Sequence, residues 1–283
     1  MIGLFDSGHG GLTVFRALLA RFPDVRFVYL GDHANAPYGN RPSQEVIELT
    51  EAGVERLFGL GCRLVVLACN TATAVACRSL QQQWLPGANW PGHNILGIVA
   101  PTVEVATQTP WAVQSPQYPQ KYNSETIAVF ATRRTIASDV YREEIRKRCP
   151  HVTVVQQACP RLAGAIEQGA PDTDLVPMVG EYVATLLEQC DGATPDRAIL
   201  GCTHFPLIEH LFRSHLPSST RVLAQPEAVA HSLEDYLTRH PHFAEPRDEA
   251  HTPILLTTGK LDRIVATLAP FWTGDVRFER VEG

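Results

Sequence analysis

A chain of 283 residues is long enough to bury one large core or two modest ones. Its composition, 45% hydrophobic and 19% charged, argues against disorder, and a net charge of -6 without a Lys/Arg-rich run disfavours binding to nucleic acid or an anionic membrane. There is no apolar run of about 18 residues to predict a membrane span. The seven cysteines follow no secretory segment, so we expect reduced thiols and a cytoplasmic protein.

Short apolar runs alternate with amphipathic stretches along the chain, a pattern typical of βαβ units around a parallel sheet. Nine strands are predicted, over residues 2–5, 27–30, 64–67, 95–99, 127–130, 152–155, 198–200, 222–223 and 254–256. Helices are predicted between them, among them one with Ser43 as its N-cap that stops at Gly61, and one over residues 175–190. The pattern predicts a doubly wound α/β fold. Polar, proline-containing stretches interrupt it at residues 108–125, read as a long surface loop, and at 240–251.

Several predicted strands run into segments rich in glycine and hydrogen-bonding side chains. In open parallel sheets, ligands bind beyond the carboxyl ends of the strands, near the point where strand order reverses. Each segment alone is explained by a tight turn, but four of them exceed what loops require. The first lacks the third glycine of a dinucleotide fingerprint, and the sequence has no Walker-type phosphate loop. The four are Asp6-Ser7-Gly8-His9-Gly10-Gly11, Gly31-Asp32 with Pro37-Tyr38-Gly39, Cys69-Asn70-Thr71, and Gly201-Cys202-Thr203-His204.

Two of the cysteines stand apart from the rest. A lone cysteine is usually a small buried hydrophobic residue, which is our interpretation of Cys62, Cys77, Cys149 and Cys190, with Cys159 left undecided. Cys69 and Cys202 each end an apolar strand and precede polar residues. Backbone N–H groups at the start of a following helix would favour a thiolate there. As a pair, Cys69 and Cys202 indicate catalysis.

Two thiols suit the inversion of an amino-acid α-carbon. Inversion removes the α-hydrogen from one face and returns a proton to the other, so one base on each side of a planar carbanion performs it directly. A cysteine pKa of about 8.5 lies near enough to neutrality for either thiol to hold the proton. The carbanion needs electrostatic stabilisation. Asn70, Thr71 and Thr203 are expected to donate to substrate carboxylates, Asp6 to hold the ammonium, and Asp6 or His204 to tune the thiols.

Taken in chain order, these motifs resemble glutamate racemase, of the aspartate/glutamate racemase family. Individual pieces are weak, but the ordered set is highly specific and covers most of residues 1 to about 211. Further matches are Ala131-Thr132, Thr135, Ser138 and Tyr141, then Ala158-Cys159-Pro160 with Glu167, and a weaker Thr257-Thr258-Gly259.

The resemblance implies an enzyme that interconverts L- and D-glutamate for peptidoglycan synthesis, without cofactor or metal, as a homodimer. It implies two flavodoxin-like or Rossmann-like parallel-sheet domains facing each other across the active site. The first would comprise residues 1–98 and 206–283 and carry Cys69; the second, inserted over residues 99–205, would carry Cys202.

The resemblance also assigns roles to residues. Cys69 would deprotonate the D-enantiomer and Cys202 the L-enantiomer, with Asp6 and His204 assisting the thiols. The substrate-binding residues would be Asp6, Ser7, Tyr38, Gly39, Asn70, Thr71, Thr203 and His204, and Thr132, Thr135 and Glu167 are secondary candidates.

The chain departs from the family pattern in three places. Ala224-Gln225-Pro226-Glu227 stands where the family often has an Asp-containing segment, His9 replaces a commonly aliphatic residue, and the loop at residues 108–125 is longer than usual.

Other functions remain open at this point. The same fold and thiol chemistry could serve aspartate or a hydantoin, although the Pro-Tyr-Gly and Cys-Asn-Thr-Ala segments favour glutamate. A pyridoxal-phosphate enzyme is disfavoured because the three lysines, Lys121, Lys147 and Lys260, lie outside the motifs. A metal site on Cys69, Cys202 and His204 is disfavoured because structural zinc sites prefer Cys-x-x-Cys pairs. A non-catalytic binding or inhibitory protein is a further alternative.

Overall fold

The computed structural model describes residues 1–110, 113, 115–118, 124–243, 252–272 and 277–281. Within these residues, ten strands form two sheets, and all strand pairings are parallel. The strands are β1 (Ile2–Asp6), β2 (Phe27–Gly31), β3 (Leu64–Leu67), β4 (Asn94–Gly97), β5 (Thr126–Ala131), β6 (Thr153–Ala158), β7 (Arg197–Gly201), β8 (Arg221–Leu223), β9 (Ile254–Thr257) and β10 (Phe278–Arg280).

Helices connect the strands, as right-handed crossovers between parallel strands require. They are α1 (Leu12–Arg21), α2 (Ser43–Gly59), α3 (Asn70–Ser79), α4 (Leu85–Gly87), α5 (Val99–Thr107), α6 (Arg133–Ala137), α7 (Val140–Arg148), α8 (Leu162–Glu167), α9 (Asp172–Gln189), α10 (Glu209–His215), α11 (Pro226–Arg239) and α12 (Leu261–Thr267). Short 3-10 helices cover Tyr38–Asn40, Phe205–Ile208 and Pro241–Phe243, and a π-helical turn, Leu80–Trp84, joins α3 to α4. No described helix combines the length and apolarity needed to cross a membrane.

The order of the strands creates a crevice in each sheet. The first sheet runs β10-β9-β2-β1-β3-β4, so the chain leaves β1 first to one side and then to the other. The second sheet runs β6-β5-β7-β8, with the same reversal between β5 and β7. Ligands of open α/β sheets bind where strand order reverses. The carboxyl ends at these two points carry Asp6 and Cys69 in one sheet, and Thr132 and Cys202 in the other.

Burial explains why these segments form central strands. Every residue of β1, β2 and β7 is buried, as expected for parallel strands covered by helices on both faces. One core cluster contains Leu4 of the first sheet and Phe130 of the second, so apolar packing continues between the sheets. The predicted doubly wound α/β fold with two parallel sheets is confirmed.

The element predictions differ from the structure in a few places. All nine predicted strands are present, and β10 is an additional strand at the sheet edge. Ser43 is the first helical residue of α2, with Pro42 in the cap position, and Gly61 follows the helix with a φ of +89°. Parts of the predicted loops at residues 108–125 and 240–251 lie outside the described residues.

The second sheet extends further along the chain than the sequence indicates. β8 pairs with β7, so residues 221–223 belong to the second sheet, beyond the domain boundary predicted at residue 205. A short strand can be recognised from its apolar residues, but the strand it pairs with depends on tertiary structure.

Candidate active site

Asp6 is the last residue of β1, at the carboxyl end of the strand, and is fully buried. Its Oδ2 accepts a hydrogen bond from the Gly8 N–H at 2.9 Å, while Oδ1 has no hydrogen-bond partner among the described residues. Burial raises the pKa of the Asp6 carboxyl to about 6, although His204 acts in the opposite direction. A carboxyl with such a pKa can exchange a proton near neutral pH.

Cys69 follows β3 and caps the amino end of α3. Its Sγ accepts from the Ala72 N–H at 3.5 Å and lies 3.5 Å from Ser7 Oγ. Burial, and secondarily the charge of Asp6, raise the pKa of the Cys69 thiol to about 12. Cys69 therefore holds its proton near neutral pH.

Cys202 follows β7. The titratable side chain in contact with it is the histidine His204, whereas the one that acts on Cys69 is the carboxylate Asp6. Cys202 Sγ lies 3.7 Å from His204 Nδ1, and His204 Nε2 contacts Glu167 Oε2. Burial opposes protonation of His204, but Glu167 and Cys202 outweigh it and raise the His204 pKa well above its usual value. Burial also opposes ionisation of Glu167, but His204 and His9 hold its pKa well below the usual range. An imidazolium beside Cys202 stabilises negative charge on that sulfur.

The glycine-rich loop after β1 brings the two sheets' strand ends together. Thr13 Oγ1 donates to the Thr203 carbonyl at 3.1 Å, across 190 residues of chain. A Cβ at Gly10 would lie 2.4 Å from both His204 Nδ1 and Thr203 Oγ1, so only glycine permits this approach. Ser7 of the same loop lies 3.5 Å from Cys69 Sγ, and His204, against which Gly10 packs, lies 3.7 Å from Cys202 Sγ. The two predicted cysteines therefore lie in one buried site.

Replacing Gly10 by alanine is expected to force His204 and Thr203 away from the loop. Overpacking of this kind costs about 1–3 kcal/mol, and because it displaces the group beside Cys202, enzyme activity should fall more than tenfold. Thermal unfolding and turnover of Gly10→Ala would be measured beside Gly59→Ala, whose added Cβ has no atom within 4 Å. Equal unfolding temperatures and equal turnover in the two variants would contradict the close approach of Gly10 to His204 and Thr203.

Three threonine hydroxyls form a cluster near the carboxyl ends of β3 and β5. Thr71 Oγ1 lies 3.0 Å from Thr132 Oγ1 and 3.3 Å from Thr135 Oγ1, and the last two are 3.1 Å apart. Thr132 also caps α6 through a bond from the Thr135 N–H. Gly39 packs against Thr132, where a Cβ would approach to 2.7 Å. The structure thus brings Gly39, predicted to bind substrate, to the secondary candidates Thr132 and Thr135.

Other predicted binding residues are held by partners that the sequence did not reveal. Tyr38 donates its hydroxyl to Asp32 Oδ2 at 2.5 Å. The Asn70 amide forms a reciprocal pair with Gln225, and its Oδ1 also accepts from the Tyr141 hydroxyl at 2.7 Å. Gln225 is fully buried, and the departure from the family pattern at residues 224–227 was its one sequence signal.

An open cleft adjoins the buried site. It has a volume of about 390 Å³ and lies between the segment around Gly39, Thr132 at the end of β5, and α8 with the turn before it. Of the predicted site residues, Gly39 and Thr132 line this cleft, whereas Cys69 and Cys202 do not.

One group of side chains in the described part of the chain has the composition and spacing to hold a metal ion. It consists of His9, His33 and Glu167, with ligand atoms within 4.8 Å of one another. Both oxygens of Glu167 already contact histidines, His9 at Oε1 and His204 at Oε2. The set suggested by sequence for a metal, Cys69, Cys202 and His204, is not such a group.

Comparison with known proteins identifies the class to which this fold and site belong. The family model described as Asp/Glu/Hydantoin racemase matches residues 14–233, and the chain belongs to this family of racemases. Glutamate racemases of Phenylobacterium zucineum (strain HLK1) and Caulobacter sp. (strain K31) are each 48% identical over 282 residues, covering 98% of this chain and 99% of theirs. The crystal structure of glutamate racemase isoform RacE1 from Bacillus anthracis is 26% identical, with a TM-score of 0.84, and the match covers 100% of this chain and 97% of that one.

These full-length relatives place the chain among the glutamate racemases, which confirms the resemblance recognised in the sequence.

Proposed function

We propose that the protein interconverts L- and D-glutamate by a two-base mechanism that uses Cys69 and Cys202 and no cofactor. The observation that carries the proposal is the position of two buried thiols at the strand-order reversals of two sheets, with Ser7 in contact with Cys69 and His204 in contact with Cys202. Membership of the glutamate racemases supports the choice of glutamate.

The surroundings of the two thiols support a direction for each. Burial raises the pKa of the Cys69 thiol to about 12, whereas the His204–Glu167 pair lies beside the Cys202 sulfur. In the L-to-D direction, Cys202 would take the α-proton while Cys69 delivers its own proton to the opposite face. This leaves Cys202 as the thiol and Cys69 as the thiolate, which is the state required for the reverse reaction. Asp6, which has a pKa of about 6 and ends the strand next to β3, would return a proton to Cys69 between turnovers.

Binding of the substrate would use groups with free hydrogen-bonding capacity. The unpaired Oδ1 of Asp6 suits the substrate ammonium. The hydroxyls of Thr71, Thr132 and Thr203, with Ser7, suit the carboxylates. Asn70 has one amide proton beyond its bond to Gln225, and Gly39 would line the approach from the cleft. Tyr38, whose hydroxyl is held by Asp32, would support that segment from within the core. Developing charge on the carbanion would be stabilised by the same donors.

We also propose that D-glutamate made here supplies peptidoglycan synthesis, that the enzyme works in the cytoplasm, and that it forms a homodimer. All seven cysteines are free, in keeping with a reducing compartment. The other two assignments follow from the family resemblance. Light scattering of the purified protein would test the dimer, which a monomeric mass would exclude.

Circular dichroism of enantiopure amino acids tests the activity directly. The purified protein should bring L- and D-glutamate to the same racemic end point, and leave L- and D-aspartate unchanged under identical conditions. Activity should persist after treatment with a chelator, and the protein should show no aldimine absorbance. Racemisation of aspartate in preference to glutamate would overturn the substrate assignment, and inactivity with every amino acid would favour a non-catalytic role.

A further inference from the structure

His9 is a buried residue with contacts that reach into the catalytic machinery. It lies in the glycine-rich loop after β1 and is 1% exposed. Its ring stacks on Phe271, with centroids 5.2 Å apart, and meets His33 edge-on at 4.4 Å. Its Nε2 lies 3.2 Å from the Ile264 carbonyl. The Phe271 and His33 rings, together with the Ile264 carbonyl at Nε2, therefore fix the orientation of the His9 imidazole.

The other end of His9 points at Glu167. The Nδ1 atom lies 2.5 Å from Glu167 Oε1, and the His9 backbone N–H donates to the same oxygen at 3.0 Å. Glu167 belongs to α8, on the second sheet, so these bonds cross the interface between the sheets. The second oxygen of Glu167 contacts His204, whose other nitrogen faces Cys202. An unbroken row of contacts thus runs from the Ile264 carbonyl through His9, Glu167 and His204 to the Cys202 sulfur.

This row has no counterpart at the other thiol. Cys69 is contacted by Ser7 and the Ala72 N–H, and its charge environment is set by Asp6. The row contacts Cys202 directly, whereas it can reach Cys69 only indirectly, through the charges of Glu167 and His204 acting on Asp6, so we expect a change at His9 to affect the Cys202 half more strongly.

We propose that His9 is a positioning residue for the Cys202 half of the site: it fixes the Glu167 carboxylate so that His204 faces the Cys202 sulfur. The inference rests on the proposed two-thiol mechanism. Without the imidazole, Glu167 loses one of its three hydrogen-bond contacts among the described residues and keeps the loop N–H at Oε1 and His204 at Oε2, so the orientation of its carboxylate is less tightly defined. An aliphatic side chain at position 9 would leave the carboxylate held chiefly by His204.

The effect cannot be read from racemisation alone, because the two enantiomers have equal free energy and their kcat/KM values must remain equal. Exchange of the α-hydrogen in heavy water separates the halves. In a Cys69→Ser background, exchange of L-glutamate depends on Cys202; in a Cys202→Ser background, exchange of D-glutamate depends on Cys69. His9→Leu is expected to slow the first exchange about tenfold, the usual effect of losing a hydrogen bond to a charged group, and to leave the second within about twofold.

Two further variants separate positioning from packing. An asparagine amide places a nitrogen near the position of the His9 Nδ1 atom, whereas a glutamine amide reaches toward the position of Nε2 and the Ile264 carbonyl. His9→Asn should therefore restore Cys202-dependent exchange to within about threefold of its parent, and His9→Gln should not. If His9→Leu fails to fold, this pair decides the question.

The outcomes for the inference and for the proposed function are distinct. One-sided exchange in the single-cysteine parents, with equal slowing of both exchanges by the His9 changes, would show a merely structural role and overturn the inference. No effect on either exchange would overturn it as well. Absence of one-sided exchange in the parents would instead contradict the two-thiol mechanism itself.

Discussion

Cys69→Ser and Cys202→Ser should each lose at least about a thousandfold in racemisation of glutamate, while each keeps α-hydrogen exchange with one enantiomer. General acid–base groups contribute about 10²–10⁴-fold, and a serine hydroxyl is far too weak an acid to replace a thiol as the proton-transferring group. The remaining cysteine can still remove the α-proton on its own side and return a solvent-derived proton to the same face. Cys69→Ser should therefore exchange L-glutamate without inversion, and Cys202→Ser should exchange D-glutamate.

The measurement is deuterium uptake at the α-carbon by NMR in heavy water, started separately from each enantiomer. Cys190→Ser is a matched control, since Cys190 is buried at the end of α9 and no contact joins it to the site thiols in the described structure. The control should racemise glutamate at the wild-type rate within about twofold. Retained racemisation in the double variant Cys69→Ser, Cys202→Ser would contradict the mechanism, because both of the proposed proton-transferring thiols are then absent.

Much of this site follows from sequence because one rule connects local pattern to tertiary placement. Apolar runs punctuated by glycine mark parallel strands, and the carboxyl ends of such strands share one edge of a sheet. That rule places Asp6 beside Cys69 before any coordinates are known. It fails for β10, whose residues Phe278–Arg280 include a single buried side chain, too weak a pattern to indicate a strand.

The contacts that the sequence did not reveal are hydrogen bonds between distant segments. His9 and Glu167 lie 158 residues apart, and Asn70 and Gln225 lie 155 apart. Each of these polar residues is compatible with a solvated loop, and only the folded chain shows that it is buried and must be paired. His9 and Gln225 both fall at departures from the family pattern. The sequence therefore marks these two positions as unusual but does not indicate which residues they contact.

Asp6→Asn is expected to change activity and stability in opposite directions. The loss of a carboxylate that exchanges protons with Cys69 and binds the ammonium should lower kcat/KM for glutamate about a hundredfold or more. In the wild type, the Asp6 pKa of about 6 predicts that activity rises as pH increases through this value, as the carboxylate forms. The variant should lack that rise. A pH profile of kcat/KM over pH 5–8 would show this, and an unchanged profile in Asp6→Asn would exclude Asp6 as the titrating group.

The stability effect follows from the same raised pKa. Folding shifts the Asp6 pKa from 3.8 to about 6, so the folded protein binds this proton more tightly than the unfolded chain does. The contribution of Asp6 to stability is fully present below about pH 4 and is lost as pH rises through 6, a change of about 3 kcal/mol in all. About half of that change falls between pH 5 and pH 8. Asparagine does not ionise, so in urea unfolding the stability of Asp6→Asn relative to wild type should increase over this interval. An exposed control, Asp24→Asn, should show no such trend. A pH-independent difference for Asp6→Asn would mean that the folded protein does not oppose ionisation of this carboxyl, and Asp6 would then lose its place as the proton carrier beside Cys69.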